Sequence, residues 1–590
     1  MTKVFDDPAA FGEDMLAGFV AAHGDLVRRV PGGVVRWPLA GAGKVAVVVG
    51  GGSGHYPAFV GLVGEGMADG AVVGDVFTSP SASHAISVAE AAHEGAGIVF
   101  SYGNYAGDVI NFGQAQETLR GAGIPTQTVL VTDDMASGSP VAPELRRGIA
   151  GDFAVFKVLG AAAREGLDLV HVVEAGTRAN AATRSFGVGL GGCTLPGSQA
   201  PLFTLPEGVM GVGLGIHGEP GIGEEPLVSA HALAGRLVSA VLGEFEHVPA
   251  RVAVILNGLG RTKYEELFCL YRSIAPALEA AGSEIVQPEV GEFVTSLDMA
   301  GVSLTLMALD QDLERWWRAP VRTPAFIKPA SDARASAEMR SSSVPGEAEP
   351  SARTLNPIPG PTVGSDGAPT AHGQVILGDG PSRCVVRAFE AVAVALADHA
   401  EDLGRLDAVA GDGDHGRGMV RGSRAALAAV RRSTGASSAL MAAGQAWAAE
   451  AGGTSGALWG GGLEAFAREL PERGPIELSH LARGAEAFKA KVQALGGAQV
   501  GDKTMVDALG PFCASLSGAW SRAETDGPGA WRDAAALARA AASATAQMKP
   551  KLGRARPLAE LSVGTPDPGA SSLALVVEVV GEELAKGRRG

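Results

Sequence analysis

Along the first 326 residues, short runs with an unbroken apolar centre alternate with longer segments of helical period. The runs are residues 44–49 (KVAVVV), 97–101 (GIVFS), 128–132 (TVLVT) and 251–256 (RVAVIL), and most lead straight into Gly, Asn or Asp. A strand apolar on both faces is covered on both faces, the usual state of a parallel sheet between helices. With intervening helices such as 143–165, the pattern predicts an α/β module with mostly parallel sheets. The texture changes toward the end of the chain. Residues 383–400, 421–432, 438–450, 480–495, 530–548 and 570–586 are rich in Ala and Leu and poor in β-branched residues, which predicts an all-helical module.

Between the two textures, residues 327–372 are rich in Ser, Pro and Ala with scattered charge and little that could form a packed face, so they read as a flexible linker. The expected organisation is 1–326, a linker 327–372, and 373–590. Composition then narrows the function. Forty-eight Lys and Arg against 64 Asp and Glu leave a net charge of −16, which argues against nucleic acid or an anionic membrane as partner. The four cysteines, Cys193, Cys269, Cys384 and Cys513, are far apart with no CxxC spacing. Neither a disulfide framework nor a cysteine zinc site is expected. With no leader-like start and no long apolar run, the expected location is the cytoplasm. Glycine is the outlier, at 84 of 590 residues, about twice the usual share of roughly 7%.

Three glycine-rich segments of the first module hold candidate chemistry. Gly50, Gly51, Gly52, Ser53, Gly54 and His55 follow the run 44–49, where backbone N–H groups at a strand end can meet a small polar ligand. A plain tight turn is the bland alternative. In SYGNYAGDVINF, Asp108 sits where a helix would begin, as an N-cap or as a carboxylate that binds substrate hydroxyls and serves as base. In GVGLGIHGEPGIGEEP, His217 lies among glycines rather than the apolar neighbours of a core histidine. That favours a histidine presented to a ligand, as base, hydrogen-bond partner or nucleophile toward a carbonyl.

The helical module carries its own candidates. Asp407, Asp412 and Asp414 fall within eight residues of LDAVAGDGDHGRGM, a costly crowding of carboxylates unless a cation offsets it. Hard oxygen ligands of this kind suit Mg²⁺, which would bridge ATP phosphates. His415 follows at once, to contact phosphate or to order the turn. In EAGGTSGALWGGG, Gly453, Thr454 and Ser455 offer N–H groups and hydroxyls to phosphate oxygens. There is no GxxxxGK[ST], so a P-loop kinase is excluded.

GGGSGHYPAF, GNYAGDVINF, GLGIHGEPG, NGLG and TSLDMAG resemble the substrate module of the dihydroxyacetone kinases, and the second half resembles their nucleotide module. The resemblance implies a substrate module of two subdomains and a nucleotide module built as a helical barrel. It implies ATP-dependent phosphorylation of a small ketose, with His217 forming a covalent hemiaminal to the ketone carbon. Gly52, Ser53, Gly54 and His55 would bind substrate hydroxyls, with His55 and Asp108 catalytic and Asp108 the base. On the nucleotide side it implies roles for Asp414, His415, Gly416, Gly453, Thr454 and Ser455, for Met505 against adenine, and for Arg554, Asp567, Pro568 and Gly569. A homodimer pairing modules between chains is expected by the same resemblance. Two departures stand out: Gly103 where the family commonly has lysine, and Tyr56 and Phe59 in a motif that commonly reads GHEPAH. They bring a four-carbon ketose such as erythrulose into view beside the three-carbon one. Other readings are a phosphotransferase-system kinase holding ADP tightly, or a non-catalytic ketose-binding regulator.

Overall fold

The computed structural model describes residues 3–219, 221–330, 381–411, 413–522, 526–552 and 559–586. The first sheet is built from β1 (Val27–Val30), β2 (Gly33–Arg36), β3 (Ala46–Ser53), β4 (Gly70–Val76), β5 (Ile98–Gly103) and β6 (Thr126–Val131), in the order β1-β2-β4-β3-β5-β6. Its β4-β3-β5-β6 core is parallel, and β1 and β2 add an antiparallel edge. Period-two alternation explains the unbroken apolar runs. In β3, Val47 and Val49 join one core while Ala46 and Val48 join the other, packed under the helices Ala82–Ala92 and Ala106–Gly121.

The second sheet comprises β7 (Thr183–Gly191), β8 (Val209–Val212), β9 (Gly223–Pro226), β10 (Arg251–Gly258), β11 (Glu284–Ile285), β12 (Glu289–Gly291) and β13 (Ala300–Ala308). Its order is β11-β10-β13-β7-β8-β9, with β12 also on β10. The expectation of mostly parallel sheets needs correction here. Only β11 and β12 run parallel to β10, and the β10-β13-β7-β8-β9 ladder is antiparallel throughout. A fully apolar run reports burial on both faces, and this sheet has it without parallel strands: helices Ala230–Leu242 and Tyr264–Ala280 cover one face, while Ala253, Ile255 and Met307 face the shared core.

Between the sheets lies the helix Gly151–Arg164, buried along nearly its whole length. The helix expected over 143–165 is thus shorter at its start. The buried Asp133 carboxylate accepts the N–H groups of Ile149 and Gly151, at 2.9 and 2.7 Å, and holds the preceding residues out of the helix. A short pair, Val321–Arg322 with Ile327–Lys328, follows the second sheet.

The helical module closes on itself. Pro381–Asp398, His415–Val430, Ala436–Ala451, Gly453–Ala467, Leu478–Gly496, Met505–Ser521, Gly527–Ala544 and Pro568–Lys586 each pack on the next, and the last packs on the first, giving a barrel. The short helix Ala400–Ala408 sits outside this ring order. Apolar side chains such as Phe389, Leu440, Trp459 and Phe512 line the barrel interior, which offers nothing polar to a triphosphate. The glycine-rich stretch after Ala451 is helix rather than loop. Gly452 and Gly453, at φ 65° and 61°, break the chain between the two helices, and Gly460 and Gly462 serve close packing: a Cβ there would meet Ala448 at 2.5 Å and Phe488 at 2.6 Å. Among the described residues no helix is long and apolar enough to cross a membrane.

Candidate active site

The glycines of β3 lie in the strand, not in a turn after it. A Cβ on Gly51 would sit 2.5 Å from the Phe59 ring, and one on Gly52 would sit 2.6 Å from the Thr78 nitrogen, so the strand can carry no side chain where it passes those neighbours. The chain then turns at Gly54, at φ 100°, and delivers His55. Ser53 Oγ is buried without a hydrogen-bond partner among the described residues.

His55 meets His217, which is carried by the loop between β8 and β9, with the two Nε2 atoms 3.0 Å apart. The other ring nitrogens fix the tautomers. His55 Nδ1 lies 2.7 Å from the Thr295 carbonyl, which can only accept, so Nδ1 carries hydrogen. His217 Nδ1 lies 2.9 Å from Glu219 Oε1, and the same carboxylate accepts the His217 backbone N–H at 2.9 Å through Oε2. Both Nε2 atoms therefore face each other as the remaining basic positions, and their contact needs one shared proton. Glu219 in turn lies 3.8 Å from Arg147, whose guanidinium holds Asp134 through two bonds of 3.1 and 2.8 Å.

Aromatic rings confine the pair. Phe77 stacks on His55 at 4.9 Å and meets His217 edge-on at 5.2 Å, and Tyr105 meets His217 edge-on at 4.8 Å. The Tyr105 hydroxyl donates to the Gly148 carbonyl, and burial pushes its pKa well above the usual phenol value, so it stays neutral. At the lysine-to-glycine departure, a Cβ on Gly103 would be 3.0 Å from the Tyr105 ring. Tyr105 thus fills the first part of the volume a longer side chain would claim.

Asp108 is not the N-cap of its helix. Tyr105 holds that position, and Asp108 is the third residue of Ala106–Gly121, buried in the first turn, where the helix dipole favours a carboxylate. Beside it Asp152 is buried, and burial, then the charges of Asp133 and Asp108, hold its pKa well above the usual carboxylate range.

The first turn of the same helix faces the helical module across a cavity of about 310 Å³. Ala106, Gly107, Thr78 and Ser79 line it from one side; Asp407, Asp414, Gly453–Ser455, Met505 and Asp567–Gly569 line it from the other. The Gly453 N–H donates to the Ser79 carbonyl at 2.9 Å, Asn111 donates to the Gly453 carbonyl at 3.3 Å, and Thr78 Oγ1 donates to Asp414 at 2.8 Å. Arg421 pairs with Asp75 while its guanidinium also caps the carbonyls of Glu450 and Ala451. His415 bridges two hydroxyls, Ser455 at 3.2 Å and Ser572 at 2.9 Å, and burial lowers its pKa against the pull of Asp407 and Asp414. Gly416 is pressed against Ala400, whose carbonyl would be 2.0 Å from a Cβ there. Asp567 caps the last helix through the Ala570 N–H, and its pKa is pushed up to about 7 by burial and by the charges of Asp407 and Asp507. Asp412 and Arg554, singled out in the sequence, lie outside the described residues. Among the described residues no three acidic, histidine or cysteine side chains form a metal-binding group.

The structure thus gathers His55 and His217 in one pocket, and Asp407, Asp414, Thr454, Ser455, Met505 and Asp567 round one cavity, with Asp108 on the helix whose start faces that cavity. Sequence reasoning missed Glu219, Phe77, Thr78 and Arg421. Glu219 was within reach, two residues after His217 in GIHGEPG; the others carry no local signal.

Residues 17–325 match the Dak1 domain and residues 409–582 match the DAK2 domain. A D-erythrulose kinase of Mycolicibacterium smegmatis is 54% identical over 100% of both chains. An L-erythrulose kinase of Pectobacterium atrosepticum is 49% identical over 99% of this chain and 97% of its own. The crystal structure of the dihydroxyacetone kinase from C. freundii in complex with AMP-PNP and Mg²⁺ superposes with a TM-score of 0.51, at 29% identity, over 98% of this chain and 99% of that one. The gathered motifs, the α/β module with its helical barrel and these full-length relatives make this chain a member of the dihydroxyacetone kinase family, with Dak1 and DAK2 domains on one polypeptide.

Proposed function

We propose that the chain is an ATP-dependent, Mg²⁺-requiring kinase of a small ketose, with four-carbon erythrulose as the substrate class. The observation that carries the reading is the linkage of two unlike sites by one turn: a histidine pair with its Nε2 atoms 3.0 Å apart under Phe77, and a carboxylate-lined cavity between the modules that Thr78 and Ser79 help to line. The erythrulose kinases that align over the whole chain support the substrate class.

In this mechanism His217 Nε2 attacks the ketone carbon, and the shared proton passes from His55 Nε2 to the carbonyl oxygen, giving a hemiaminal. The positive charge moves from the His55 ring to the His217 ring, where Glu219 balances it through Nδ1–H. Asp108 takes the proton of the terminal hydroxyl as its oxygen attacks the γ-phosphorus and ADP departs. Gly52, Ser53 and Gly54 bind the substrate's other polar atoms. Thr454 and Ser455 hold phosphate oxygens at a helix start, beside Gly453, whose own N–H is engaged by the Ser79 carbonyl; Met505 packs on the base, and Asp567, Pro568 and Gly569 close the nucleotide site. His415 and Gly416 hold the nearby loop. Asp407 and Asp414, which line the cavity together with Asp567, would hold the divalent cation, with Asp412 completing the set. Mg²⁺ would there neutralise charge on the transferring phosphoryl group. Arg554 is assigned to the nucleotide by the family resemblance. We further propose a cytoplasmic homodimer with modules paired between chains, the α/β face described above then meeting the helical module of the second copy.

The test is ATP-dependent turnover of D-erythrulose, L-erythrulose and dihydroxyacetone with Mg²⁺. Phosphorylation of an erythrulose enantiomer with the highest kcat/KM supports the reading. No ATP-dependent phosphorylation of any of the three would refute it, and turnover only with a phosphorylated carrier protein would replace it with the phosphotransferase-type reading.

A further inference from the structure

The turn Phe77–Thr78–Ser79 is in contact with both sites. It follows β4 and is tightly determined. Phe77 has φ 58° although it is not glycine, its N–H donates to the Ser53 carbonyl at 3.0 Å, and a Cβ on Gly74 would lie 1.9 Å from the Thr78 carbonyl. A bulky residue held in the left-handed region persists only where its surroundings over-determine it, and such positions cluster at functional sites.

Its three residues face different ways. Phe77 packs on the rings of His55 and His217. Thr78 Oγ1 lies 2.8 Å from Asp414 Oδ2 and 3.1 Å from the Val76 carbonyl. A hydroxyl has one proton to give, so it donates either to its own strand or across the interface to the carboxylate. The Ser79 carbonyl accepts the Gly453 N–H at the start of the helix whose first turn lines the nucleotide cavity.

We infer that Thr78 is a positioning residue for phosphoryl transfer. Its hydroxyl orients the Asp414 carboxylate and sets the register of the helical module against the histidine pair. The inference rests on the kinase reading above and adds a residue to which that reading gives no chemical step, although it lines the nucleotide cavity. It makes the alignment of the two substrates depend in part on a hydrogen bond between parts of the chain 336 residues apart, beside the Gly453–Ser79, Asn111–Gly453 and Arg421–Asp75 contacts.

Thr78→Val keeps the β-branched shape and removes the hydroxyl, and Thr78→Ser restores it. Four readouts separate positioning from packing: adduct formation with erythrulose by intact mass, kcat against ketose KM, Mn²⁺ affinity in the presence of a non-hydrolysable ATP analogue, and the thermal unfolding midpoint. The expected result for Thr78→Val is a fall in kcat and in Mn²⁺ affinity of about 10- to 100-fold, the value of a hydrogen bond to a charged group. Ketose KM, adduct formation and melting stay near wild type, and Thr78→Ser recovers most of the loss. Wild-type kcat and Mn²⁺ affinity in Thr78→Val would overturn the inference. Equal damage in Val and Ser, or loss of adduct formation with kcat, would reduce the turn to a structural element. Wild-type protein that forms no adduct and turns over no ketose would instead indict the kinase reading itself.

Discussion

Glu219→Gln isolates the electrostatic half of ketose capture. The carboxylate holds His217 twice, at ring Nδ1 and at the backbone N–H, both at 2.9 Å, and its side chain is only 12% exposed. Glutamine fills the same volume but has one acceptor atom. With its oxygen toward Nδ1–H, its amide NH₂ confronts the backbone N–H donor, and no charge remains to balance an imidazolium. Loss of a hydrogen bond to a charged group costs about 1.5–3 kcal/mol, or roughly 10- to 150-fold. That loss falls on the adduct, because His217 gains its charge only when Nε2 is bonded to carbon. The assay is intact mass against erythrulose concentration, with nucleotide affinity measured on the same samples. The half-saturating ketose concentration is expected to rise about 10- to 150-fold while nucleotide binding is unchanged. Adduct formation at wild-type ketose concentrations in a folded Gln variant would refute the reasoning.

Lys157 is buried in the α/β core, donates to the Trp316 carbonyl, and has its pKa pushed down to about 7 by burial and then by Lys328. Its folded pKa lies below the roughly 10.4 of an unfolded lysine, so folding expels a proton, and stability falls as pH drops from about 10 to about 7, by up to about 1.4 kcal/mol per pH unit. Lys157→Met removes that term: thermal melts are expected to show a gap over wild type that widens across this window and is flat below it, and a pH-independent gap would contradict the assignment. Gly52→Ala places a Cβ 2.6 Å from the Thr78 nitrogen, short of the 3.4 Å of ordinary contact, and pushes on the turn that meets Asp414. Overpacking of this kind costs about 1–3 kcal/mol, so both the unfolding midpoint and kcat should fall; an unchanged kcat would show that the turn's place is immaterial.

What was legible in the sequence was what local pattern encodes. The apolar run 44–49 gave β3, and the Ala/Leu-rich segments gave most of the barrel. Strand direction in the second sheet was not legible, because a strand such as Ala300–Ala308 is buried on both faces whichever way its neighbours run. Nor was the helix Gly453–Ala467, since glycines chosen for close helix packing look like loop glycines from the chain alone. The histidine pair joins residues 162 apart, and Thr78 reaches Asp414 across 336; neither spacing has a period or motif. His217 could be picked out because its glycine surroundings are unusual for a core histidine. Thr78 could not, because a threonine in a turn is ordinary until its partner is seen.

The central claim is that a ketose held covalently on His217 presents its hydroxyl to a nucleotide held by the helical module. The most direct measurement is a crystal structure of the chain with erythrulose, AMP-PNP and Mg²⁺. The account predicts continuous density between His217 Nε2 and the ketone carbon, with the terminal hydroxyl beside Asp108 and facing the γ-phosphate in the cavity lined by Thr78, Asp414 and Gly453. A ketose bound away from His217, or a nucleotide outside that cavity, would contradict it.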